Sequence, residues 1–214
     1  MTSAKQLFSG INISCRRGGR LLFTGLSFGL NPGEVVHFSG VNGAGKTSLL
    51  RIMCGALPVS GGMINWKGAD FLENGLEAHS RRFSFLPADD RSLKPLETVL
   101  ENLRFWAALW GIPEEVCLGA LDKIRILNLK DTPVRYLSAG QKRRLGLARM
   151  FTKKAPLWLL DEPFNGLDRE SHGLFVEEMN AHCAGGGMVA VASHHPLEPP
   201  HHGALHRVNV GAPL

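Results

Sequence analysis

Phosphate chemistry is the first thing the residue types suggest, in the run Gly40-Val-Asn-Gly-Ala-Gly45-Lys46-Thr47. It fits G-x-x-x-x-G-K-[ST], a glycine-rich turn whose backbone N–H groups cradle phosphate oxygens. Gly43 and Gly45 let the backbone approach an anion without a Cβ in the way. Lys46 has the reach and charge for β- and γ-phosphates, and the Thr47 hydroxyl is a hard oxygen suited to Mg2+. Asn42, Ala44 and Ser48 complete the expected nucleotide-binding stretch. A second centre lies in Leu157-Trp-Leu-Leu160-Asp161-Glu162, an apolar run that ends in two carboxylates. Downstream of a phosphate loop, such an Asp161 holds Mg2+ through its water shell, and Glu162 is placed to accept a proton from an attacking water. The chemistry implied is binding of a nucleoside triphosphate with Mg2+ and attack of water upon it.

These groups need rigid supports. Residues 34–38 read as a buried strand leading into the loop, and residues 47–54 as a helix leaving it, with Leu49, Ile52, Met53 and Ala56 on one side. A helix N-terminus after a glycine turn favours anions through its free N–H groups and dipole. Upstream, residues 5–39 suggest short strands separated by glycine turns, and residues 63–67 a further strand. Residues 95–129 turn helical: Val99, Leu103, Trp106 and Trp110 predict one apolar seam, and Cys117, Leu121 and Ile124 a second. Residues 155–160 and 188–192 are continuous apolar runs, as expected of strands buried on both faces of a parallel sheet, and residues 169–183 form the crossover helix between them. His201, His202 and His206 are expected on a solvated tail.

Composition narrows the class. The 214 residues, 44% hydrophobic, suffice for one core with a subdomain. No apolar run reaches the roughly 18 residues of a membrane span, and the N-terminal residues lack the apolar stretch of a secretion signal. Four scattered cysteines, Cys15, Cys54, Cys117 and Cys183, predict buried thiols and a reducing compartment. A net charge of +5 suits a phosphate ligand or an anionic surface. No dense basic patch with interleaved aromatics points to nucleic acid.

Leu137-Ser-Ala-Gly-Gln141 precedes another predicted helix, with Ser138 as its N-cap and a second anion site at its start. Its first turn is basic (Lys142, Arg143, Arg144), which opposes the helix dipole and is most easily understood beside a phosphate or an acidic partner. With Asn165-Gly-Leu-Asp168 and His194, the motifs now resemble, in order and spacing, the Walker A, signature, Walker B, D-loop and switch-histidine elements of the ABC ATPase domain. The resemblance covers nearly the whole chain. It implies an α/β P-loop NTPase fold of ABC type, with a mixed or parallel sheet core, an N-terminal antiparallel β part and a helical subdomain at about residues 95–137, all within one ATPase domain of residues 1–214. It implies ATP and Mg2+ as ligands and a homodimer packed head to tail. Ser138 and Gly140 would then meet the γ-phosphate in trans and His194 in cis, with Gln141 and Asp168 in the same nucleotide-binding set.

Closer wording, in residues 40–51, 96–106 and 159–168 and in Cys15 with Leu22-Phe23 ahead of Gly25-Leu-Ser-Phe28, resembles the ATP-binding subunits of the haem exporter of cytochrome c biogenesis. That group docks on integral membrane subunits, which implies a peripheral position on the cytoplasmic face of the inner membrane. Its hydrolysis supports release of haem-loaded chaperone. Two departures stand out. The ABC pattern has a glutamine between Walker A and the helical insertion, but the only glutamines here are Gln6 and Gln141. Ala88, Asp89 or Asp90 falls at that position, and Asp89, following the Leu86-Pro87 turn most closely, is the expected Mg2+ group. At the aromatic adenine-stacking position the chain offers Arg17, whose planar guanidinium can stack on a ring or merely serve a surface turn. The aromatic face around residues 97–111 (Phe105, Trp106, Trp110), with residues 85–91, is expected to form a groove for a membrane subunit's helix, Arg91, Arg104 and Phe105 being the surface candidates; both tryptophans fit an internal core equally well. Other readings are the ATPase subunit of another small ABC exporter, a soluble non-transport ABC protein, or a regulatory module that binds without hydrolysing.

Overall fold

Glycine turns and strand-forming residues near the N-terminus produce a long hairpin rather than several short strands: β1 (Phe8–Arg17) runs antiparallel to β2 (Arg20–Leu30). The structure, a computed structural model, describes residues 6–211; residues 1–5, part of the stretch read for a secretion signal, lie outside them. The chain continues through β3 (Val35–Ser39), α1 (Lys46–Met53), β4 (Gly61–Trp66), β5 (Ala69–Asp70), α2 (Gly75–Ser80) and β6 (Phe83–Leu86). Then come α3 (Val99–Ala108), α4 (Glu114–Lys123), short 3-10 turns at Leu127–Leu129 and Val134–Tyr136, and α5 (Ala139–Thr152). The last elements are β7 (Leu157–Asp161), α6 (Arg169–Ala184), β8 (Met188–Ala192) and β9 (Leu205–Asn209). An antiparallel sheet has the order β2-β1-β4-β5, and a second sheet the order β6-β7-β8-β3-β9, in which β7–β8, β8–β3 and β3–β9 are parallel. This is the expected α/β architecture.

Two compact units divide these elements. The first comprises the chain up to Phe85, Ala155–Pro163 and the chain from Asn180 onward; the second comprises Leu86–Lys154 and Phe164–Met179, wider than the insertion expected at residues 95–137. In the first unit β7 and β8 are buried at every position, as their uninterrupted apolar runs require. Phe28 joins the antiparallel sheet to the parallel one, its ring 5.8 Å from Phe8 and 5.4 Å, edge-on, from Phe38. In the second unit α3, α4 and α5 pack on one another. Thr98 and Glu101 close the start of α3 with a capping box, and buried Asn102 pins the preceding loop by accepting from the Lys94 amide (2.8 Å) and donating to the Lys94 (3.1 Å) and Thr98 (2.9 Å) carbonyls.

Three local expectations change. The loop helix ends at Met53, so Ala56 lies beyond it and is exposed rather than on its apolar side. In α3 the buried stripe runs through Val99, Leu100, Leu103 and Ala107, whereas Trp106 and Trp110 are half-buried. Their faces carry cations instead, Arg149 at 4.9 Å from Trp106 and Lys153 Nζ at 4.0 Å from Trp110. Arg104, by contrast, is exposed as expected, its Nε 2.6 Å from Glu114 Oε2. The tail is not wholly solvated: His206 sits in β9 opposite Val36, with Nε2 3.2 Å from Glu34 Oε2, while His201 and His202 are exposed. All four cysteines are buried free thiols, as expected.

His182, on α6, stacks flat on Trp158 with ring centroids 4.0 Å apart. Burial drives it down to about 4 despite its hydrogen bond with the Met188 backbone. Because the folded value lies below the unfolded one of about 6.5, the unfolded chain takes the proton first. The stability from burying the neutral ring is thus complete above about pH 6.5 and declines as pH falls toward 4, by at most about 3 kcal/mol. His182→Phe retains the stack but cannot titrate, so its melting temperature should fall less between neutral and mildly acid pH than that of the parent. Equal acid losses in the two proteins would assign the effect to other groups.

Candidate nucleotide site

The turn between β3 and α1 forms an anion cradle from backbone alone. Gly45, the N-cap of α1, has φ +105 and offers no side-chain cap, so the first amides of the helix remain for a ligand. A Cβ at Gly45 would stand 2.9 Å from the Phe23 ring, which closes the position to any side chain. Gly43 has φ +82, and a Cβ there would enter open space on the side where a phosphate would approach. The lysine is already drawn into the turn: Lys46 Nζ donates to the Gly40 (2.7 Å) and Val41 (3.3 Å) carbonyls. Behind the turn, Val210 N donates to Ser39 O at 2.8 Å, and its carbonyl lies 2.5 Å from where a Gly40 Cβ would stand. The chain after β9 therefore backs the cradle, a support that the reading of a solvated tail missed; Val208 and Val210 on either side of Asn209 were the available signal.

Strand ends bring the carboxylates to this loop. Thr47 Oγ1 donates to Asp161 Oδ1 at 3.1 Å, linking the start of α1 to the end of β7. Asp161 is 2% exposed. These hard oxygen groups fit Mg2+, and the open, N–H-lined turn fits a phosphate. Glu162 has φ +46, the left-handed region that non-glycine residues rarely occupy, and its amide donates to Ala192 O at 2.8 Å. Its Oε2 lies 2.9 Å from His194 Nδ1. The predicted Asp161, Glu162, His194 and residues 42–48 thus fall in one unit. Arg17 falls in that unit too, exposed beside the Gly18-Gly19 turn at the end of β1. His37, in the middle of β3, was overlooked; a lone polar residue in Val-Val-His-Phe was its only mark. Its Nε2 lies 3.1 Å from Ser193 O, which fixes that nitrogen as the donor, and burial pushes the ring below the ordinary imidazole range.

The remaining predicted residues, Asp89, Ser138, Gly140, Gln141 and Asp168, belong to the second unit. Ser138 caps α5 as expected, in a reciprocal box: its Oγ accepts from Gln141 N (3.2 Å), and Gln141 Oε1 accepts from Ser138 N (2.8 Å). Gly140 lies against Gly166, whose carbonyl is 3.1 Å from where a Cβ would be. The basic first turn of α5 finds its acceptors within the chain. Arg143 donates to Pro87 O (2.6 Å), Lys142 Nζ stands 3.6 Å from Asp90, and Arg144 donates to Asp168 (2.5 Å). Of the phosphate or acidic partner expected beside these cations, the chain itself supplies acidic ones in Asp90 and Asp168. Asp168 also caps α6 by accepting from Ser171 N at 2.8 Å, and the Ser171 hydrogen bonds, with Arg144 beside them, hold its carboxyl below the usual range. Asp89 accepts from the Arg91 amide at 3.2 Å, with its other oxygen 3.3 Å from Arg91 Nε. A cavity of about 370 Å³ opens beside this loop, lined by Leu86, Pro87, Asp89, Leu93, Lys142 and Arg149 among others.

Comparison with known proteins places this geometry in a family. The ABC transporter family matches residues 23–165. The cytochrome c biogenesis ATP-binding export protein CcmA of Paramagnetospirillum magneticum is 41% identical over 203 residues, covering 93% of each chain. Its counterpart in Hahella chejuensis is 37% identical over 215 residues, covering 99% of each. A solved structure of an ATP-binding subunit of an ABC transporter superposes with a TM-score of 0.80 at 26% identity, covering 88% of this chain and 80% of that one. With most of its length matched at these identities, the chain belongs to the ABC transporter family, among the cytochrome c biogenesis ATP-binding export proteins.

Proposed function

We propose that this chain is the ATP-binding and ATP-hydrolysing subunit of a membrane export complex that serves cytochrome c maturation, the haem exporter. The observation that carries the hydrolytic part is the junction of three elements at one place: Thr47 on Asp161, and Glu162 on His194, at the mouth of the glycine cradle. Residues 42–48 bind the triphosphate, with Lys46 moving from the loop carbonyls to the β/γ-phosphates. Thr47 and Asp161 would hold Mg2+, which would supply Lewis-acid neutralisation of phosphate charge there. Asp89 is assigned to the same metal and Arg17 to the adenine ring. Glu162 takes the proton of the attacking water, and His194 orients that carboxylate and meets the terminal phosphate. The chain functions as one ATPase domain and pairs head to tail with a second copy, which supplies Ser138, Gly140, Gln141 and Asp168 in trans.

Among the described residues no helix is long and apolar enough to cross a membrane. As the ATP-binding subunit of an export complex, the chain works with integral membrane subunits and sits peripherally on the cytoplasmic face of the inner membrane. The cavity beside residues 86–93 is assigned to a cytoplasmic helix of such a subunit, with the exposed Arg91 of the same loop as a contact. Arg104 is exposed as well, its guanidinium paired with Glu114. Gentle solubilisation of membranes should isolate the chain together with integral membrane proteins, and the isolate should release phosphate from ATP only with Mg2+. Arg91→Glu should leave the chain in the soluble fraction with ATP binding intact. A chain that never associates with membranes would point instead to a soluble, non-transport ABC protein, and an Arg91→Glu variant that stays bound places the docking surface elsewhere.

A further inference from the structure

We propose that His37 is a positioning residue for hydrolysis: through the Ser193 carbonyl it sets the orientation of His194 against Glu162. The proposal rests on the hydrolase reading above. His37 is 4% exposed, in the middle of β3, where Val35, Val36 and Phe38 are fully buried apolar residues. A buried imidazole there is unfavourable unless it is hydrogen-bonded, and an aliphatic side chain would pack without that cost. Its hydrogen bond spans from the strand that leads into the glycine cradle to Ser193, the residue before His194. The peptide group is planar, so the Ser193 carbonyl and the His194 amide turn as one body. Fixing the Ser193 oxygen therefore fixes the plane from which His194 departs.

The surroundings make this hold selective. Ser193 is 1% exposed and gripped at three atoms: its amide donates to Phe38 O (3.2 Å), its Oγ accepts from His195 N (3.0 Å), and its carbonyl accepts from His37. Immediately before it, Ala192 O accepts from the Glu162 amide at 2.8 Å. The two partners of the His194–Glu162 contact thus hang from adjacent residues at the end of β8, and His37 is the side chain that ties this point to β3. Its ring lies within electrostatic range of Glu162, Lys46 and Arg207.

The test measures steady-state phosphate release by the full chain with any membrane subunits it carries. His37→Leu removes the donor, and His37→Gln keeps an N–H near the position of Nε2. We expect His37→Leu to lower kcat by about tenfold with KM for ATP nearly unchanged, and His37→Gln to restore most of the loss. In a His194→Ala background, adding His37→Leu should cost nothing further, because a residue that acts through His194 has nothing left to position. Melting curves establish that each variant is folded; if His37→Leu is not, His37→Asn, too short to reach Ser193 O, replaces it. A parent that releases no phosphate overturns the hydrolase reading itself. An active parent with parental kcat in His37→Leu, equal losses in the leucine and glutamine variants, or an undiminished effect without His194 each overturns the positioning role alone.

Discussion

Glu162→Gln is expected to bind ATP as tightly as the parent and to release phosphate about 10²–10⁴-fold more slowly. The substitution keeps the size of the side chain and a polar partner for His194, 2.9 Å away, so the local packing has little reason to change. The backbone at φ +46 is no more strained for glutamine than for glutamate. What the amide lacks is a basic oxygen to take the proton from water. ATP affinity should survive because the glycine cradle and Lys46 are untouched. With chemistry stalled, a closed pair of chains holding ATP should accumulate and appear on gel filtration as a dimer that forms with ATP and not with ADP. Phosphate release within a fewfold of the parent would remove Glu162 from the base position, and loss of ATP binding would assign it to the ground-state site instead.

The parts of this machinery that were legible in the sequence are those built from local order. The cradle follows from a strand, a turn and a helix in succession, and the structure has β3 ending at Ser39 and α1 starting at Lys46. The strands at residues 157–161 and 188–192 announced themselves as uninterrupted apolar runs, and Ser138 as an N-cap, though not its reciprocal bond with Gln141. Contacts between distant segments were not legible. β9 is a strand because it finds β3 far back in the chain, and its own His206 with the histidines and prolines before it suggested only a tail. The cations in the first turn of α5 called for a phosphate or an acidic partner because they oppose the helix dipole, but no sequence pattern named the acceptors that Asp90, Pro87 O and Asp168 supply in space. The tryptophans of the helical unit matched the period of a seam, yet rings of that size settle at its edge under Arg149 and Lys153 while Ala107 fills the inside. His37 had no partner within reach of any sequence pattern, since Ser193 lies 156 residues away.

Metal dependence separates the two carboxylate assignments. Asp161→Asn should raise the Mg2+ concentration for half-maximal turnover by about 10- to 100-fold, the range typical of losing a partner that orients a metal's inner ligands. Asp161 is buried, accepts from Thr47 at 3.1 Å, and presents its charge where water cannot screen it well, so the neutral amide forfeits most of the attraction. Asp89 stands differently. It is exposed and shared with the Arg91 amide and guanidinium, so to serve the metal it must give up those contacts and act through a more screening medium. Asp89→Ala with Asp90→Ala is therefore expected to raise the Mg2+ requirement by only about threefold, the Asp90 change also freeing Lys142. Titrating Mg2+ at saturating ATP reads both shifts on one scale. An unchanged requirement in the double variant would take Asp89 out of the metal set and leave residues 87–91 as a loop held to α5 by Arg143. An unchanged requirement in Asp161→Asn would mean that Thr47 and the phosphates suffice to hold the ion, and would return the buried carboxylate to a structural role as the acceptor of the Thr47 hydroxyl.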